Sequence, residues 1–428
     1  MFITVVAGVL VSAQSRPADP YRSVAERYVK LVLAVGQHDA DYVDAFYGPA
    51  EWRKEAETAK PTLAAIDAQA ATVESELKGL VVRPDPKDTD MWVLRRQYLS
   101  RQLASLRSRV AMLQGKKFTF DEESLALYDA VAPVKPAAEF EAVLTQLAAR
   151  LPGEGPLIDR YDRFKQAFII PKNRLDRVFQ EAIRACRSRM PGIVNLPTQE
   201  RFTVEYVTGK SWSGYNWYQG NLRSVIQVNT DLPIYVDRAI DLACHEGYPG
   251  HHVYNALLEK HLVMDRGWIE YTVYPLFSPQ SLIAEGTANY GIEVAFSTAD
   301  RLTFERDVLF PLAGLNPQRV VEYYGVLELV ERLSYAGNEA ARQYINGTLD
   351  REGAIAWLEK YGLYTRPRAE QRLKFIEQYR SYVINYNLGK DLVRAYVERR
   401  MGRDKTPARR WREFTALLSS PRLPSGLK

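Results

Sequence analysis

The chain contains 428 residues, of which 46% are hydrophobic and 25% are charged, as in a folded enzyme. Its 57 Lys and Arg residues and 52 Asp and Glu residues leave a formal net charge of only +5. The basic residues form no dense stripe, so composition argues against a nucleic-acid-binding protein. One basic cluster begins at Arg399, and a solvated terminal helix explains it.

The first residues resemble an export signal. Phe2 to Ala13 is a short apolar run that ends in Val-Ser-Ala, which fits a signal-peptide core cleaved after Ala13, although a basic segment before it is missing. The run is too short to span a bilayer. We therefore predict a leader at residues 1–19, no stable membrane span and a periplasmic or secreted location, with a cytoplasmic location as the alternative.

Most of the chain has the apolar spacing of amphipathic helices. The predicted helices cover residues 21–35, 63–80, 91–113, 139–150, 173–189, 316–335, 351–360 and 366–395, with a further one in the basic tail. The end of the chain from Ser419 is predicted to be disordered. No linker divides these segments, so we expect a mainly α, two-lobed body with a helical lobe at 20–195, a catalytic lobe at 196–428 and a cleft between them.

A β-like stretch precedes the richest motif of the chain. Arg201 to Val207 and Asn221 to Thr230 carry β-branched and aromatic residues, with glycine-marked turns between them. These features predict a small antiparallel sheet. Its second strand is the hypothesised edge strand that pairs with a substrate backbone, although a sheet that only covers the core is equally compatible with the pattern. The proposed substrate-binding residues are Ser224, Val225, Ile226, Gln227, Val228 and Asn229.

Four of the five histidines lie close together, and three belong to the string His-Glu-Gly-Tyr-Pro-Gly-His-His that begins at His245. Histidine nitrogens are common ligands of catalytic zinc, and the adjacent Glu246 is suited to act as a general base. On an uninterrupted helix His251 would face away from His245, and His252 would lie about 10.5 Å along the axis from it. Pro and Gly at positions 249 and 250 can bulge the helix and bring a later histidine back. We predict that His251 is the second ligand and that His252 is the reserve candidate.

A catalytic zinc ion needs a third protein ligand and an open position. The helical segment from Ser281 to Phe296 supplies Glu285, which lies among small residues that allow close helix packing. Asn289 follows one turn later and could hold the Glu285 carboxylate. Glu293 is assigned either to a hydrogen bond with the second ring nitrogen of a ligand histidine or to a salt bridge. Asp241, one turn before His245, could orient a ligand histidine, and an exposed acid at a helix start is the alternative.

The two cysteines, Cys186 and Cys244, neither require nor forbid a disulfide bridge. Cys244 adjoins His245 in the sequence. It would point about 100° away from it on a helix, so we do not expect it to be a metal ligand.

The region from about Phe202 to Val397 resembles the bacterial family known as domain of unknown function 885, which is similar to gluzincin zinc metallopeptidases. Three segments carry the resemblance, and two positions depart from the family pattern. The matching segments are the HExxPGHH-type motif at 245–252, Glu-Gly-Thr-Ala-Asn-Tyr-Gly-Ile-Glu at 285–293 and Tyr-Asn-Leu-Gly at 386–389. Thr287 replaces the usual tryptophan, and Tyr382 to Asn385 replaces the usual Pro-Gly-Gln.

The resemblance implies a glutamate ligand on a later helix and a tyrosine that stabilises the oxyanion. Tyr386 is the first candidate for that tyrosine because nearby Gly389 would let its helix approach the site, and Tyr382 is the alternative. The expected function is Zn²⁺-dependent hydrolysis of a peptide, with Glu246 as the base. The alternatives are a hydrolase of a non-peptide amide or ester and a catalytically silent binding protein. A purely structural zinc site needs no base, so Glu246 argues against the last. The sequence does not determine the oligomeric state.

Overall fold

A computed structural model describes residues 19–81, 88–210 and 212–428. The predicted signal segment therefore lies almost entirely outside the described residues. The described chain is mainly helical, which confirms the predicted fold class. Among these residues no helix is both long enough and apolar enough to cross a membrane.

Eight helices precede the larger sheet, and eleven follow it in the described chain. The first group is α1 (Arg22–Val35), α2 (Ala50–Ala59), α3 (Leu63–Gly79), α4 (Thr89–Leu113), α5 (Phe120–Tyr128), α6 (Ala137–Arg150), α7 (Leu157–Gln166) and α8 (Leu175–Ser188). The second group is α9 (Asp237–Leu242), α10 (His251–Leu258), α11 (Pro279–Ala295), α12 (Thr298–Phe304), α13 (Phe310–Ala313), α14 (Val320–Glu331), α15 (Ala336–Ile345), α16 (Arg351–Gly362), α17 (Arg366–Tyr379), α18 (Ile384–Met401) and α19 (Pro407–Leu418).

Two small sheets accompany the helices. Strands β2 (Arg201–Val207), β3 (Gly214–Gly220) and β4 (Arg223–Asn229) form one sheet in the order β2-β4-β3. β3 pairs antiparallel with β4, but β2 pairs parallel with it, so the prediction of an antiparallel sheet was only partly right. The cause is β3, a strand that the glycine pattern had placed among turns. β3 and β4 form a hairpin, and this turns β4 into the same direction as β2.

The second sheet pairs β1 (Val43–Phe46) antiparallel with β5 (Val273–Pro275). It joins the amino-terminal helices to the segment that leads into α11. One hydrophobic core also runs from Tyr21 to Leu427 and includes residues on both sides of position 195. The division into two lobes at that position remains a prediction.

Two carboxy-terminal predictions were wrong. The single helix predicted at 366–395 is divided at Arg380, where the backbone enters the left-handed region with φ 53°. The Ser381 N–H and Oγ both donate to Glu123 Oε1, so a contact with α5 holds this break. The tail predicted to be disordered is ordered, because Leu427 is buried and the Ser425 N–H donates to Asp129 Oδ2 at 3.0 Å.

Helices α11 and α18 cross at a pair of glycines, as the small residues of the sequence had suggested. A Cβ atom built on Gly286 would lie 2.5 Å from the carbonyl carbon of Gly389, and one on Gly389 would lie 2.8 Å from the Leu282 oxygen. Backbone atoms cannot yield as a flexible side chain can, so a side chain at either position would have to push the two helices apart. The close approach brings the residues of α18 beside Glu285.

We expect Gly286→Ala to lower the free energy of unfolding by about 1–3 kcal/mol, because overpacking must push the two helices apart. Urea denaturation followed by circular dichroism measures this change. Gly79→Ala is the matched control, since a Cβ on that helical glycine would meet nothing within 4 Å. Equal stability of the two variants would contradict the tight crossing.

Candidate metal centre

The histidine motif is interrupted where the sequence predicted an interruption. Helix α9 continues into a π-helical turn at Ala243–Gly247, and the next helix begins at His251. Between them the Tyr248 N–H donates to the Ala243 oxygen at 3.2 Å, and the Gly250 N–H donates to the Cys244 oxygen at 2.9 Å. A Cβ on Gly250 would lie 1.8 Å from the His245 oxygen, so only glycine fits there. The Tyr248–Pro249 peptide bond is cis.

This interruption brings His245 and His251 together. Their Nε2 atoms are 3.1 Å apart, and Glu285 Oε2 lies 3.3 Å from His245 Nε2 and 3.8 Å from His251 Nε2. The potential ligand atoms of all three residues lie within 4.8 Å of one another. Glu285 Oε2 is buried and makes no well-directed hydrogen bond. Two imidazoles and a carboxylate that converge in this way match the donor set of a catalytic zinc site.

Two neighbouring side chains hold these potential ligands in place. Asn289 Oδ1 lies 3.2 Å from His245 Nδ1, and its Nδ2 donates to the Tyr386 carbonyl oxygen at 3.2 Å. Tyr382 donates its hydroxyl hydrogen to Glu285 Oε1 at 2.8 Å. The sequence had suggested that Asn289 holds Glu285, but the π-helical turn aims His245 at Asn289 instead. An acceptor at Nδ1 fixes the tautomer that leaves Nε2 free for a metal.

Charge and burial shift the pKa values of the cluster residues in different directions. Burial would raise the pKa of Glu285, but its contacts with His245 and His251 outweigh burial and hold the pKa well below its usual value. Burial would lower the pKa of His251, but Glu285 outweighs it and raises the pKa to about 9. Glu246 differs, because burial keeps its pKa above the usual value. The cluster therefore combines a firmly ionised carboxylate with one that takes up a proton more readily.

Strand β3 positions Glu246. A Cβ on Gly214 would lie 2.8 Å from Glu246 Oε1, and Asn216 Nδ2 donates to the Glu246 carbonyl oxygen at 2.7 Å. Glu246 is buried, and within the described ranges its carboxylate forms no ion pair with Lys or Arg. It is therefore a buried acid next to the cluster whose side chain is not committed to a structural salt bridge.

His252 lies away from the cluster. Its ring is fully buried, with Nδ1 2.9 Å from Ser224 Oγ and Nε2 2.7 Å from Glu200 Oε2. Tyr248 donates to the same Glu200 oxygen at 2.9 Å, and Arg187 pairs with the other oxygen at 2.5 Å. The reserve candidate thus belongs to a network that ties α10 to the sheet.

The strand that the sequence analysis assigned to substrate binding lies in the centre of the sheet and not at its edge. β4, which contains Ser224, Val225, Ile226, Gln227, Val228 and Asn229, pairs with β2 on one side and with β3 on the other. It has no open edge for a peptide, because both of its edges are already paired. Within the described chain, the sheet edge beside Glu246 belongs to β3. The expectation that β4 is the edge strand was therefore wrong.

Two further acids of the sequence analysis form salt bridges. Asp241 lies 2.8 Å from Arg301 and 3.4 Å from Arg238, so it pairs with arginines rather than with a ligand histidine. Glu293 pairs with Arg394 and, at 3.0 Å, with Lys390. The salt-bridge alternative given for Glu293 describes its contacts.

Sequence reasoning missed Asp44 and Tyr215. The Tyr215 hydroxyl donates to Asp44 Oδ1 at 2.8 Å, and Asp44 interacts electrostatically with His251, Glu285 and Glu246. Burial raises the pKa of Asp44 to about 6 even though the Tyr215 hydrogen bond lowers it. Asp44 lies on β1, about two hundred residues before the motif, and no local pattern marks it. The pairing of β1 with β5 and the hydrogen bond from Tyr215 of β3 bring it to the cluster.

A disulfide joins Cys186 of α8 to Cys244, the residue before His245. The sequence analysis had left this bridge open. The bond attaches the π-helical turn covalently to a neighbouring helix, next to a potential ligand.

Comparison with known proteins identifies no family. No family model matches the chain, and no curated protein matches it. Among solved structures, a candidate lipoprotein from Colwellia psychrerythraea aligns with a TM-score of 0.47 and 15% identity over 82% of this chain and 69% of its own. A candidate lipoprotein of unknown function from Shewanella oneidensis aligns with a TM-score of 0.49 and 12% identity over 96% of this chain and 87% of its own.

A third structure, described as BsuCP, aligns with a TM-score of 0.48 and 12% identity over 93% of this chain and 88% of its own. Similarities at these levels do not assign a function. The resemblance to domain of unknown function 885 therefore remains a prediction.

The roles of His251 and His252 can be distinguished by experiment. We expect His251→Ala to lose bound metal and His252→Ala to keep it, because only His251 Nε2 joins the cluster. His252→Ala should instead lower the free energy of unfolding by about 1–3 kcal/mol, since it removes the buried contacts of His252 with Glu200 and Ser224. Mass spectrometry of metal content and thermal denaturation measure the two effects. Metal loss in the folded His252→Ala variant alone would reverse the assignment.

Proposed function

We propose that this protein is a zinc-dependent peptidase. The observation that carries the proposal is the convergence of His245, His251 and Glu285 beside the buried acid Glu246. Two neutral imidazoles and one carboxylate are the protein ligands of many catalytic zinc sites, which keep one position for water or substrate. A structural zinc site would instead have four protein ligands and no need of a neighbouring base.

The residues present fit the ion. His245 and His251 would bind through Nε2 and Glu285 through Oε2, the buried oxygen that lacks a well-directed hydrogen bond. When bound, zinc would supply a Lewis acid and make a coordinated water more acidic. The Tyr382 hydroxyl would remain on the other Glu285 oxygen and keep the carboxylate oriented.

Glu246 is suited to move the proton. In this proposal its carboxylate takes a proton from the attacking water and passes it to the amine that leaves when the amide bond breaks. A pKa raised by burial favours this role, because the group must both accept and release a proton near neutral pH. β3 restrains Glu246 through Gly214 and Asn216, so the base and the sheet edge lie next to each other.

Tyr386 is the better candidate for stabilising the oxyanion. Burial and then Glu285 raise the pKa of its hydroxyl, which therefore stays protonated at neutral pH as a hydrogen-bond donor. The Tyr382 hydroxyl is already committed to Glu285 Oε1. Tyr386 is also fixed at its backbone, because its carbonyl oxygen accepts a hydrogen bond from Asn289.

The substrate backbone would pair with β3 rather than with β4. β3 is the end strand of the three-stranded sheet, pairs within it only with β4, and contacts Glu246 through Asn216. A peptide added to this edge would lie beside the base. We also propose a periplasmic or secreted location, which the Cys186–Cys244 disulfide supports, because such bonds persist in oxidising compartments.

The first test is cleavage of a mixed peptide library by the zinc-loaded protein, read by mass spectrometry. We expect wild type to cut peptides, and Glu246→Gln to lower the rate by about 10²–10⁴-fold while keeping its zinc, because only the proton acceptor is lost. A chelator should abolish cleavage, and added zinc should restore it.

Glu205→Gln is the matched control, since Glu205 is an exposed acid on β2 whose carboxylate accepts a hydrogen bond from Gln227. It should cut as wild type does. Zinc bound at one per chain without any peptide cleavage would contradict a peptidase and favour a hydrolase of another amide or ester.

A second test separates the two tyrosines. Tyr386→Phe should lower kcat by about 10²–10³-fold with little change in zinc affinity, because it removes a donor to the transition state. Tyr382→Phe should weaken zinc binding by about 10–100-fold, because it releases Glu285. Steady-state kinetics and zinc titration measure the two effects. If Tyr382→Phe lowered kcat and Tyr386→Phe weakened zinc binding, the roles of the two tyrosines would be reversed.

A further inference from the structure

Arg372 on α17 has no carboxylate partner. Its Nε atom is buried and makes no hydrogen bond, and among the described residues its guanidinium forms no ion pair. Arginines at both ends of the same helix are paired, Arg366 with Glu352 at 2.6 Å and Arg380 with Glu123 at 2.6 Å. Leaving the buried Nε atom without a hydrogen bond costs free energy.

The Phe375 ring links the unpaired charge of Arg372 to Tyr386 of the candidate site. Arg372 Cζ is 4.8 Å from the centroid of the Phe375 ring, and that ring is 6.3 Å from the ring of Tyr386. Burial and Glu285 raise the pKa of Tyr386, and Arg372 opposes them, so the cation acts on the proposed oxyanion donor. A Cβ on Gly337 would lie 3.8 Å from Arg372 Nη2, which shows that α15 borders the same guanidinium.

The remaining charges around the cluster are mainly negative. Glu246, Glu285 and Asp44 interact with one another and would repel an anionic group of the substrate. On the tyrosine side Arg372 offers a planar fork of donors that matches a carboxylate. Stacking on Phe375 keeps that fork oriented without using its hydrogen-bonding groups.

We propose that Arg372 binds a carboxylate group of the substrate and so places the carboxyl-terminal side of the cleaved amide along α17. The inference rests on the proposed peptidase function and adds to it a preference for one class of peptide. The carboxylate can come from the free carboxy terminus of a peptide or from an Asp or Glu side chain. A terminal carboxylate would make the protein an exopeptidase that removes residues from that end.

Binding can be tested apart from cleavage by using zinc-loaded Glu246→Gln protein as the parent and isothermal titration calorimetry. Three peptides of one neutral sequence serve as probes: one with a free carboxy terminus, one with a terminal amide, and an amide with an internal Glu. We expect the parent to prefer a carboxylate-bearing peptide. Adding Arg372→Gln should weaken the binding of that peptide by about 10–100-fold, the usual range for a hydrogen bond to a charged group. The affinity for the neutral amide peptide should not change.

Two further variants keep the result interpretable. Lys374→Gln removes a positive charge from an exposed position of the same helix and should change no affinity. Arg372→Lys keeps the charge without the planar fork and should give an intermediate loss. Zinc content and thermal denaturation must match the parent in each variant that is compared.

The outcomes are distinct. Loss confined to the free-terminus peptide supports terminal recognition, whereas loss confined to the internal Glu supports recognition of an acidic side chain. Equal binding of all three peptides by the parent, or an equal loss for all three in Arg372→Gln, overturns the carboxylate site. If wild type cuts none of the peptides while the preference dependent on Arg372 persists, the peptidase proposal fails and the carboxylate site stands.

Discussion

The absence of a side chain at Gly250 determines the geometry of the candidate centre. Its Cα lies so close to the His245 carbonyl group that a methyl group would overlap the oxygen. Because this approach is possible, the chain leaves the π-helical turn at Gly247 and starts a new helix at His251. A regular helix would have turned the two histidines to different faces. Both sides of this break are held in place. The disulfide attaches Cys244, before the break, to α8, and the hydrogen bonds of His252 attach the helix after the break to the sheet.

A second close contact brings the later residues to the same place. The glycine crossing of α11 and α18 sets Glu285 within hydrogen-bonding distance of Tyr382 and Asn289 within reach of the Tyr386 backbone. Each potential ligand thus has a polar contact or a packed neighbour that limits its motion. Such restraint matters for catalysis, because groups that are already oriented need not reorganise during the reaction.

Most charges in the interior are neutralised locally. Arg95 is completely buried and pairs with Glu270 and Asp19, and Arg342 pairs with Glu339 and Asp121. Among the described residues, Asp44 and Glu246 beside the metal cluster form no ion pair, and neither do Arg372 and the buried Glu259. Unpaired charges lower stability, and they are common where a protein binds a ligand or moves a proton.

The sequence by itself determined the features that depend on neighbours in the chain. Apolar periodicity predicted the helical class and most long helices, and the histidine string with Pro249 and Gly250 predicted both a broken helix and the position of His251 beside His245. The helical segment from Ser281 to Phe296 also pointed to Glu285 as the third residue of the cluster. These features are local, because residue type and spacing fix the dihedral angles and the faces of a helix. Tertiary structure alone decided which groups from distant segments meet: the parallel pairing of β2 with β4, the place of β3 at one end of that sheet, and the positions of Asp44 and Arg372. No sequence pattern records these contacts, because they arise from packing between elements that lie up to several hundred residues apart.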